Sequence, residues 1–466
     1  MATKLQSTLT FHGGAGAVTG ANFLLTIEPV TSATPPLRLL VDCGLYQGGK
    51  VFEDRNREPF AYDSATIDYL FVTHAHLDHV GRIPHLVRQG FRGIIYSTPP
   101  TKEIAGLMLT DSLGVMAKEA RGSGKPLLYE PADVEAALAK WQTVEYRTPF
   151  TLGHDKEVIV TLHDAGHILG SMMLEVARGD RRILFTGDLG NSPSPLLHEA
   201  EVVTGVNYLV MESVYGDREH DPVSERRGHL EDVIETTMKQ DGVLIIPAFS
   251  IERTQELLYE IEHMMAEGRI PPVPVYLDSP LAIKVTEIYK HFQAYFNSTV
   301  SDPDRLRDGI FNFPNLHKTL TTEESKAIAG IPGRKIIIAG SGMSNGGRII
   351  HHEKRYLSNP ANTLLLIGYQ AAGSLGRLLE EGAKEVTILG TRVAVRAKVV
   401  SLSGYSAHRD GPQLLDFVHK LNESLELVYT AMGEPRSSLF LAQRIRDYLG
   451  IQASAPRLNE SVKLEL

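Results

Sequence analysis

Cysteine is almost absent: Cys43 is the only one among 466 residues. A disulfide within the chain is therefore excluded, and so is a zinc site built from several thiolates. The scarcity suits a reducing compartment. Long apolar runs are missing as well, since no stretch approaches the ~18 residues of a membrane span. The opening residues, MATKLQSTLTFHGG, carry neither the apolar core nor the small-residue cleavage site of a secretory signal. These absences predict a cytoplasmic protein with no membrane partner. An excess of basic charge is missing too. With 47 Lys and Arg against 56 Asp and Glu, the net charge is −9, unlike a nucleic-acid binder that works through its overall field. Any nucleic acid must then be held by a local basic cleft and by metal-bound phosphate.

What is present reads as an ordinary globular chain, 42% apolar and 22% charged, long enough for two or three domains. In the first half, an apolar β-rich run ends repeatedly in a polar cluster with His or Asp. LRLLVD stops at Asp42, IDYLFVTHAH reaches His74, EVIVTLHDAGH reaches His167 and RRILFTGD reaches Asp188. Such runs read as buried strands. Ligands and catalytic groups gather where strands end, because a rigid sheet fixes their relative positions. Four such ends imply one site at the rim of a sheet sandwich.

The pattern changes near residue 213. VLIIP, VPVYL, KIIIA and TLLLI alternate with helical stretches, the first beginning at Glu252 with Ser250 as its expected cap. Strand–helix alternation predicts a mainly parallel sheet covered on both faces. The β-rich style returns near residue 390 with RVAVRAKVVSLSGYSAH. The expected layout is a first domain at 1–212, an inserted α/β domain at 213–384, and a completing part of the first domain at 385–466.

His74-Ala75-His76-Leu77-Asp78-His79 carries the most chemistry. After an extended run, His74 and His76 can point to one side and hold one metal. Asp78 and His79 open a turn and can face a second. Imidazoles and carboxylates suit Zn²⁺ or similar ions. His167 in DAGHILGS is the natural third imidazole for the first ion. Asp188 in FTGDLG suits a bridge, and His408 in GYSAHRD can complete the second ion. Asp42 reads as a carboxylate that orients the ligand histidines. Its neighbour Cys43 reads as a small buried hydrophobe.

Asp42, HAHLDH, His167 and Asp188, in this order, resemble the four sequence motifs of the metallo-β-lactamase superfamily. The inserted domain, Glu212 in MESVYGD and the histidine of SAHRD resemble its β-CASP branch. That branch acts on nucleic acids and includes the endonuclease subunit of the cleavage and polyadenylation specificity factor, the ribonuclease J enzymes and smaller bacterial ribonucleases. The resemblance implies an αββα sandwich with the α/β insertion, and two Zn²⁺ per chain. It puts one zinc on His74, His76 and His167 and the other on Asp78, His79 and His408, with Asp188 bridging. Glu212 matches an acidic motif associated with a proton relay, so Asp42, Asp78, Glu212 and His408 form the expected catalytic group. The sequence departs from the branch within GYQAAGSLGRLL, where many members carry a histidine and this chain carries Arg377 and Leu378. His351 or His352 would then serve as general acid, or none is needed.

SGMSNGGR is the expected phosphate-binding loop, through Ser341, Gly342, Met343, Asn345, Gly346 and Arg348. Its glycines allow close approach of backbone N–H groups, and the helix that follows offers its positive end. Arg377, Arg392, Arg396 and Lys398 read as solvated charges. His12, in HGGAGAVTG, lies in a glycine-rich loop without an assigned role. The expected activity is zinc-dependent cleavage of single-stranded RNA, preferably internal. A 5′-to-3′ exonuclease, a non-catalytic RNA-binding scaffold and a small-molecule hydrolase are the alternatives, and a homodimer stays open.

Overall fold

The computed structural model describes residues 6–29, 34–47, 54–124, 126–153, 157–300, 309–368, 370 and 373–466. The chain forms two compact units. Met1–Ser194, His198–Glu219 and His408–Leu466 make one; Pro195–Leu197 and His220–Ala407 make the other.

The first unit holds two seven-stranded sheets. In one, Ser7–Phe11, Phe23–Ile27 and Leu37–Val41 run antiparallel, then Tyr69–Phe71, Ile94–Ser97 and Trp141–Thr143 follow in parallel. In the other, Val158–Asp164, Met172–Arg178 and Arg181–Phe185 are antiparallel, and Tyr208–Glu212, Leu427–Ala431 and Gln452–Ser454 add in parallel. Alternate residues of both sheets meet in a shared core: Leu9, Phe11, Leu25 and Phe71 from one, Val160, Leu174, Phe185 and Val210 from the other. The opposite face of the second sheet, with Met173, Leu184, Leu209 and Val428, packs on Phe417 and Val418 of helix Gly411–Lys420 and on Leu441 and Ile445 of helix Pro435–Leu449. Period-2 burial on both faces is what a sheet covered by helix on one side and sheet on the other requires. The tail completes both sheets, since Ser461–Leu464 pairs with Ser7–Phe11.

The second unit is built on one six-stranded sheet whose pairings are all parallel. The order is Leu316–Lys318, Val275–Asp278, Lys335–Ala339, Val243–Pro247, Thr363–Leu366 and Lys398–Ser401. Its central strands are buried at every residue, as near-continuous apolar runs predict for a sheet covered on both faces. Two details differ from the sequence reading. The unit continues to Ala407 rather than ending at 384, because Lys398–Ser401 pairs with Thr363–Leu366 and Thr391–Ala394 with Glu385–Ile388. A β-rich run does not announce which sheet it joins. The helix Arg253–Ala266 is preceded at its N-cap by Glu252, in a positive-φ conformation, and not by Ser250. Among the described residues, no helix is long and apolar enough to cross a membrane.

Candidate metal centre

The site lies where strands of the first unit end. Asp42 follows Leu37–Val41, Thr73 and His74 follow Tyr69–Phe71, His167 follows Val158–Asp164, Asp188 follows Arg181–Phe185, and Glu212 closes Tyr208–Glu212. Backbone hydrogen bonds lace these loops together. The carbonyls of Asp78 and His79 accept from Ala21 and Cys43 at 2.9 and 2.8 Å, and Gly190 donates to Ala165 at 2.9 Å. Arg409 donates to Leu189 at 3.1 Å, which brings the SAHRD segment beside Asp188. The loops approach so closely that some positions admit no side chain. A Cβ at Gly44 would stand 1.5 Å from the Asp78 carbonyl oxygen, and one at Gly190 would stand 1.8 Å from that of Gly166.

Four ligand atoms converge first. His76 Nδ1 lies 3.1 Å from His74 Nε2 and 3.3 Å from His167 Nε2. Asp188 Oδ2 lies 3.4 Å from His74 Nε2 and 3.6 Å from His167 Nε2. A tetrahedral ion with bonds of about 2.1 Å needs ligand–ligand edges of about 3.4 Å. These four edges, 3.1–3.6 Å, fall near that value, as a small divalent cation requires. A second group, Asp188, Glu212 and His408, shares the aspartate. His408 Nδ1 lies 3.9 Å from Asp188 Oδ2 and 3.1 Å from Glu212 Oε2. On the other side of Asp188, His79 Nε2 stands 3.4 Å from Oδ1 and 3.9 Å from Asp78 Oδ2.

The hydrogen bonds behind these atoms decide which imidazole nitrogen is free for a metal. Asp42 is fully buried. Its Oδ1 accepts from the Thr73 amide at 2.8 Å, and its Oδ2 accepts from Thr73 Oγ1 at 2.8 Å and His79 Nδ1 at 2.7 Å. With Nδ1–H committed to Asp42, Nε2 is the His79 nitrogen that faces the site. That Nε2 and Asp188 Oδ1 are both buried without a hydrogen-bond partner, which is costly unless a cation lies between them. Among the described residues, Asp78, Asp188 and Glu212 pair with no lysine or arginine. Burial alone would raise the Asp188 carboxyl, but His79 and His74 beside it hold it well below the usual carboxylate range. Burial, followed by the charge of His79, pushes the His74 imidazole well below its ordinary value. Burial would lower the His79 imidazole, but Asp188, Asp42 and Asp78 around it hold it well above its ordinary value, so a divalent cation would take the place of its Nε2 proton among these donors. The residues fit the metal.

Sequence reasoning missed Thr73 and Ser171. The Thr73 hydroxyl lies 3.1 Å from His74 Nδ1, and Ser171 Oγ accepts from the His167 amide at 3.0 Å. Hydroxyl residues at strand ends are too common to stand out. Cys43 is buried, and burial raises its thiol to about 12, so it is a packing residue. His12 is held by Asn459 at 3.1 Å and belongs to neither group.

In the second unit, the SGMSNGGR loop joins strand Lys335–Ala339 to helix Ile349–Tyr356. The loop is tied to itself: Ser344 donates to the Ser341 carbonyl at 3.1 Å and Ile349 to that of Gly340 at 3.0 Å. The Gly342 carbonyl accepts from Gln370 at 3.1 Å, the Met343 carbonyl from the Gly376 amide at 3.2 Å, and Asn345 Oδ1 from the Leu375 amide at 3.3 Å. Gly346 accepts from the Ser341 amide at 3.3 Å. Arg348 departs from expectation. Its guanidinium donates to Asp278 at 2.7 Å and to the carbonyls of Thr319 and Leu320 at 2.9 Å each. These bonds take three of its five N–H donors, one of them to a buried carboxylate. His352 binds the same Asp278 at 2.7 Å and is buried, whereas His351 is exposed. Arg377 pairs with Glu381 and Arg392 with Glu385, as solvated charges do. Within GYQAAGSLGRLL, residues 369, 371 and 372 lie outside the described residues.

Comparisons with known proteins agree with this geometry. The Metallo-beta-lactamase superfamily domain matches residues 34–214, the Beta-Casp domain residues 254–379, and the Zn-dependent metallo-hydrolase RNA specificity domain residues 392–456. The chain is 36% identical over 452 residues to ribonuclease TTHA0252 of Thermus thermophilus, covering 97% of this chain and 98% of that protein. The chain belongs to the β-CASP branch of the metallo-β-lactamase superfamily. This β-CASP protein is also 32% identical to the transcription termination factor FttA of Methanosarcina mazei, over 98% of its own length and 71% of the relative's. A crystal structure of a protein of unknown function from Enterococcus faecalis shares the fold, with a TM-score of 0.54 at 13% identity over 98% of this chain and 100% of that one.

Proposed function

We propose that the chain is a zinc-dependent ribonuclease holding two ions, which cuts single-stranded RNA internally during cytoplasmic RNA processing or decay. The observation that supports it most is Asp188, shared by two groups of ligand atoms, in a chain whose near-full-length relative is named a ribonuclease. One ion would be held by His74, His76, His167 and Asp188, the other by Asp78, His79, His408 and Asp188. When bound, such ions supply Lewis-acid activation of water and offset charge that develops on a phosphoryl oxygen.

The chain's own residues do the rest. Asp42 and Thr73 fix the tautomer and direction of His79. Glu212 accepts from the Leu189 amide at 2.6 Å, so it is held still beside His408. Burial raises the Glu212 carboxyl above its ordinary value, so with His408 on an ion Glu212 is the group that can keep a proton at the site for the leaving oxygen. His352 is engaged by Asp278 and is a poor candidate for that task.

The test is a structured RNA labelled at either end, incubated with and without chelator. Internal fragments should appear from both labels and vanish on chelation, whereas release of single nucleotides from one end would replace internal cutting by an exonuclease. His76→Ala and His408→Ala should each cost more than the ~10–100-fold that loss of an outer partner of a metal ligand costs. RNA left intact by the zinc-loaded protein, or cleavage that ignores chelator, refutes the reading.

A further inference from the structure

Helix Pro435–Leu449 buries Ser437, Ser438, Leu441, Ala442 and Ile445 against the second sheet of the first unit. Its outward face should then be polar. It instead carries Leu439, Phe440 and Tyr448, at 59%, 41% and 63% exposure. Phe440 and Tyr448 are the only exposed large aromatic side chains among the described residues. Arg444 stands between them, one turn from each, with its guanidinium carbon 4.9 Å from the Phe440 ring centre and 5.0 Å from that of Tyr448. The two rings are spaced along the helix by about 12 Å at 1.5 Å per residue.

We propose that this face is a stacking site for the unpaired bases of an RNA strand that continues beyond the metal centre. The proposal rests on the ribonuclease reading above. Aromatic faces and an arginine plane are what single-stranded nucleic acid uses in place of base pairing. Local charge agrees: between 434 and 458 the sequence carries Arg436, Arg444, Arg446 and Arg457 against Glu434 and Asp447, in a chain of net charge −9, with Arg436 paired to Asp217 at 3.2 Å. The placement agrees as well. The helix begins beside the strand ends that form the site, since Ser437 donates to the Ser213 carbonyl at 2.5 Å, one residue past Glu212. It also lies within the stretch matching the RNA specificity domain. A strand engaged at the metal ligands therefore meets Phe440 first and Tyr448 next.

The experiment is fluorescence anisotropy of the zinc-loaded protein with a fluorescein-labelled, phosphorothioate-linked single-stranded RNA of about 12 nucleotides. An abasic strand of equal charge serves as comparison. The wild type should prefer the base-bearing strand, and the double variant Phe440→Ala with Tyr448→Ala should lose that preference and bind it at least tenfold more weakly. Tyr448→Phe should bind as wild type, because the ring suffices. Metal content and melting temperature of the double variant report that the fold is intact. Equal affinity of wild type and double variant for the base-bearing strand overturns the proposal. So does an unchanged affinity combined with loss of a dimer in sedimentation, which would make the face a contact between copies of this chain. A wild-type protein that neither binds nor cuts any RNA instead removes the ribonuclease reading itself.

Discussion

Asp188 touches more of the site than any neighbour does: its Oδ2 faces His74, His167 and His408, and its Oδ1 faces His79. Asp42 touches a single imidazole. The two carboxylates should therefore fail differently when removed. Asp188→Ala is expected to lose both metal equivalents, and Asp42→Ala to keep the ligand set with affinity lowered by about 10–100-fold. Elemental analysis after gel filtration, followed by competition with a chromogenic chelator, measures both; an Asp42→Ala protein emptier than Asp188→Ala would contradict the assignment. At this scale the cluster of His and Asp side chains was legible in the sequence, because HAHLDH packs four donor side chains into six residues behind a strand. Arg348 was not. An arginine beside a glycine-rich loop has the same sequence signature whether it meets a phosphate or, as here, the buried Asp278.

Loops and strands explain why distant residues form one site. Gly190 donates its amide to Ala165 and pairs in a short bridge with His408, and its missing side chain lets the 165–167 loop pass against the 188–190 loop. A methyl group there would sit 1.8 Å from the Gly166 oxygen and 2.8 Å from the His167 nitrogen. Backbone on both sides leaves nothing flexible to yield, so Gly190→Ala should cost about 3 kcal/mol, the upper end for overpacking, and weaken metal uptake with it. Gly114, exposed within helix Pro99–Ser123, has nothing within 4 Å of a Cβ. Gly114→Ala should stabilise the fold by about 1 kcal/mol. Urea titrations of both variants, with metal content measured alongside, check the contrast; equal effects would mean that the loop approach does not constrain the site. The strands were readable because their apolar runs are short and bounded. Sheet membership was not, as Lys398–Ser401 shows: the four residues KVVS, two apolar between two polar, carry too little pattern to name the strand they join.

Both groups of ligand atoms belong to the first unit, while the second unit packs its own core around Ile245, Ile337, Leu364 and Leu366. The overall architecture was visible from sequence because the switch from strand-rich to alternating patterning is a property of long stretches, which single-residue ambiguity does not erase. The same division makes a prediction about metal removal. An ion that binds only the folded state stabilises it by RT ln(1 + [L]/Kd), about 2.7 kcal/mol when free metal is a hundredfold above Kd. That energy enters through loops holding carboxylates, so chelation leaves Asp78, Asp188 and Glu212 with only the imidazoles of His79 and His408 to offset their charge. Hydrogen exchange should accordingly quicken in peptides spanning His74–Val80, Ala165–Ile168 and Thr186–Gly190 when metal is stripped. Val243–Pro247 and Lys335–Ala339 should keep their protection, because their hydrogen-bonding partners are strands of the second unit's own sheet. If chelation released the two sets of peptides together, the metals would be stabilising the whole chain as one cooperative block. If it released neither, the buried His79 Nε2 and Asp188 Oδ1 would have to be satisfied by something other than a bound ion.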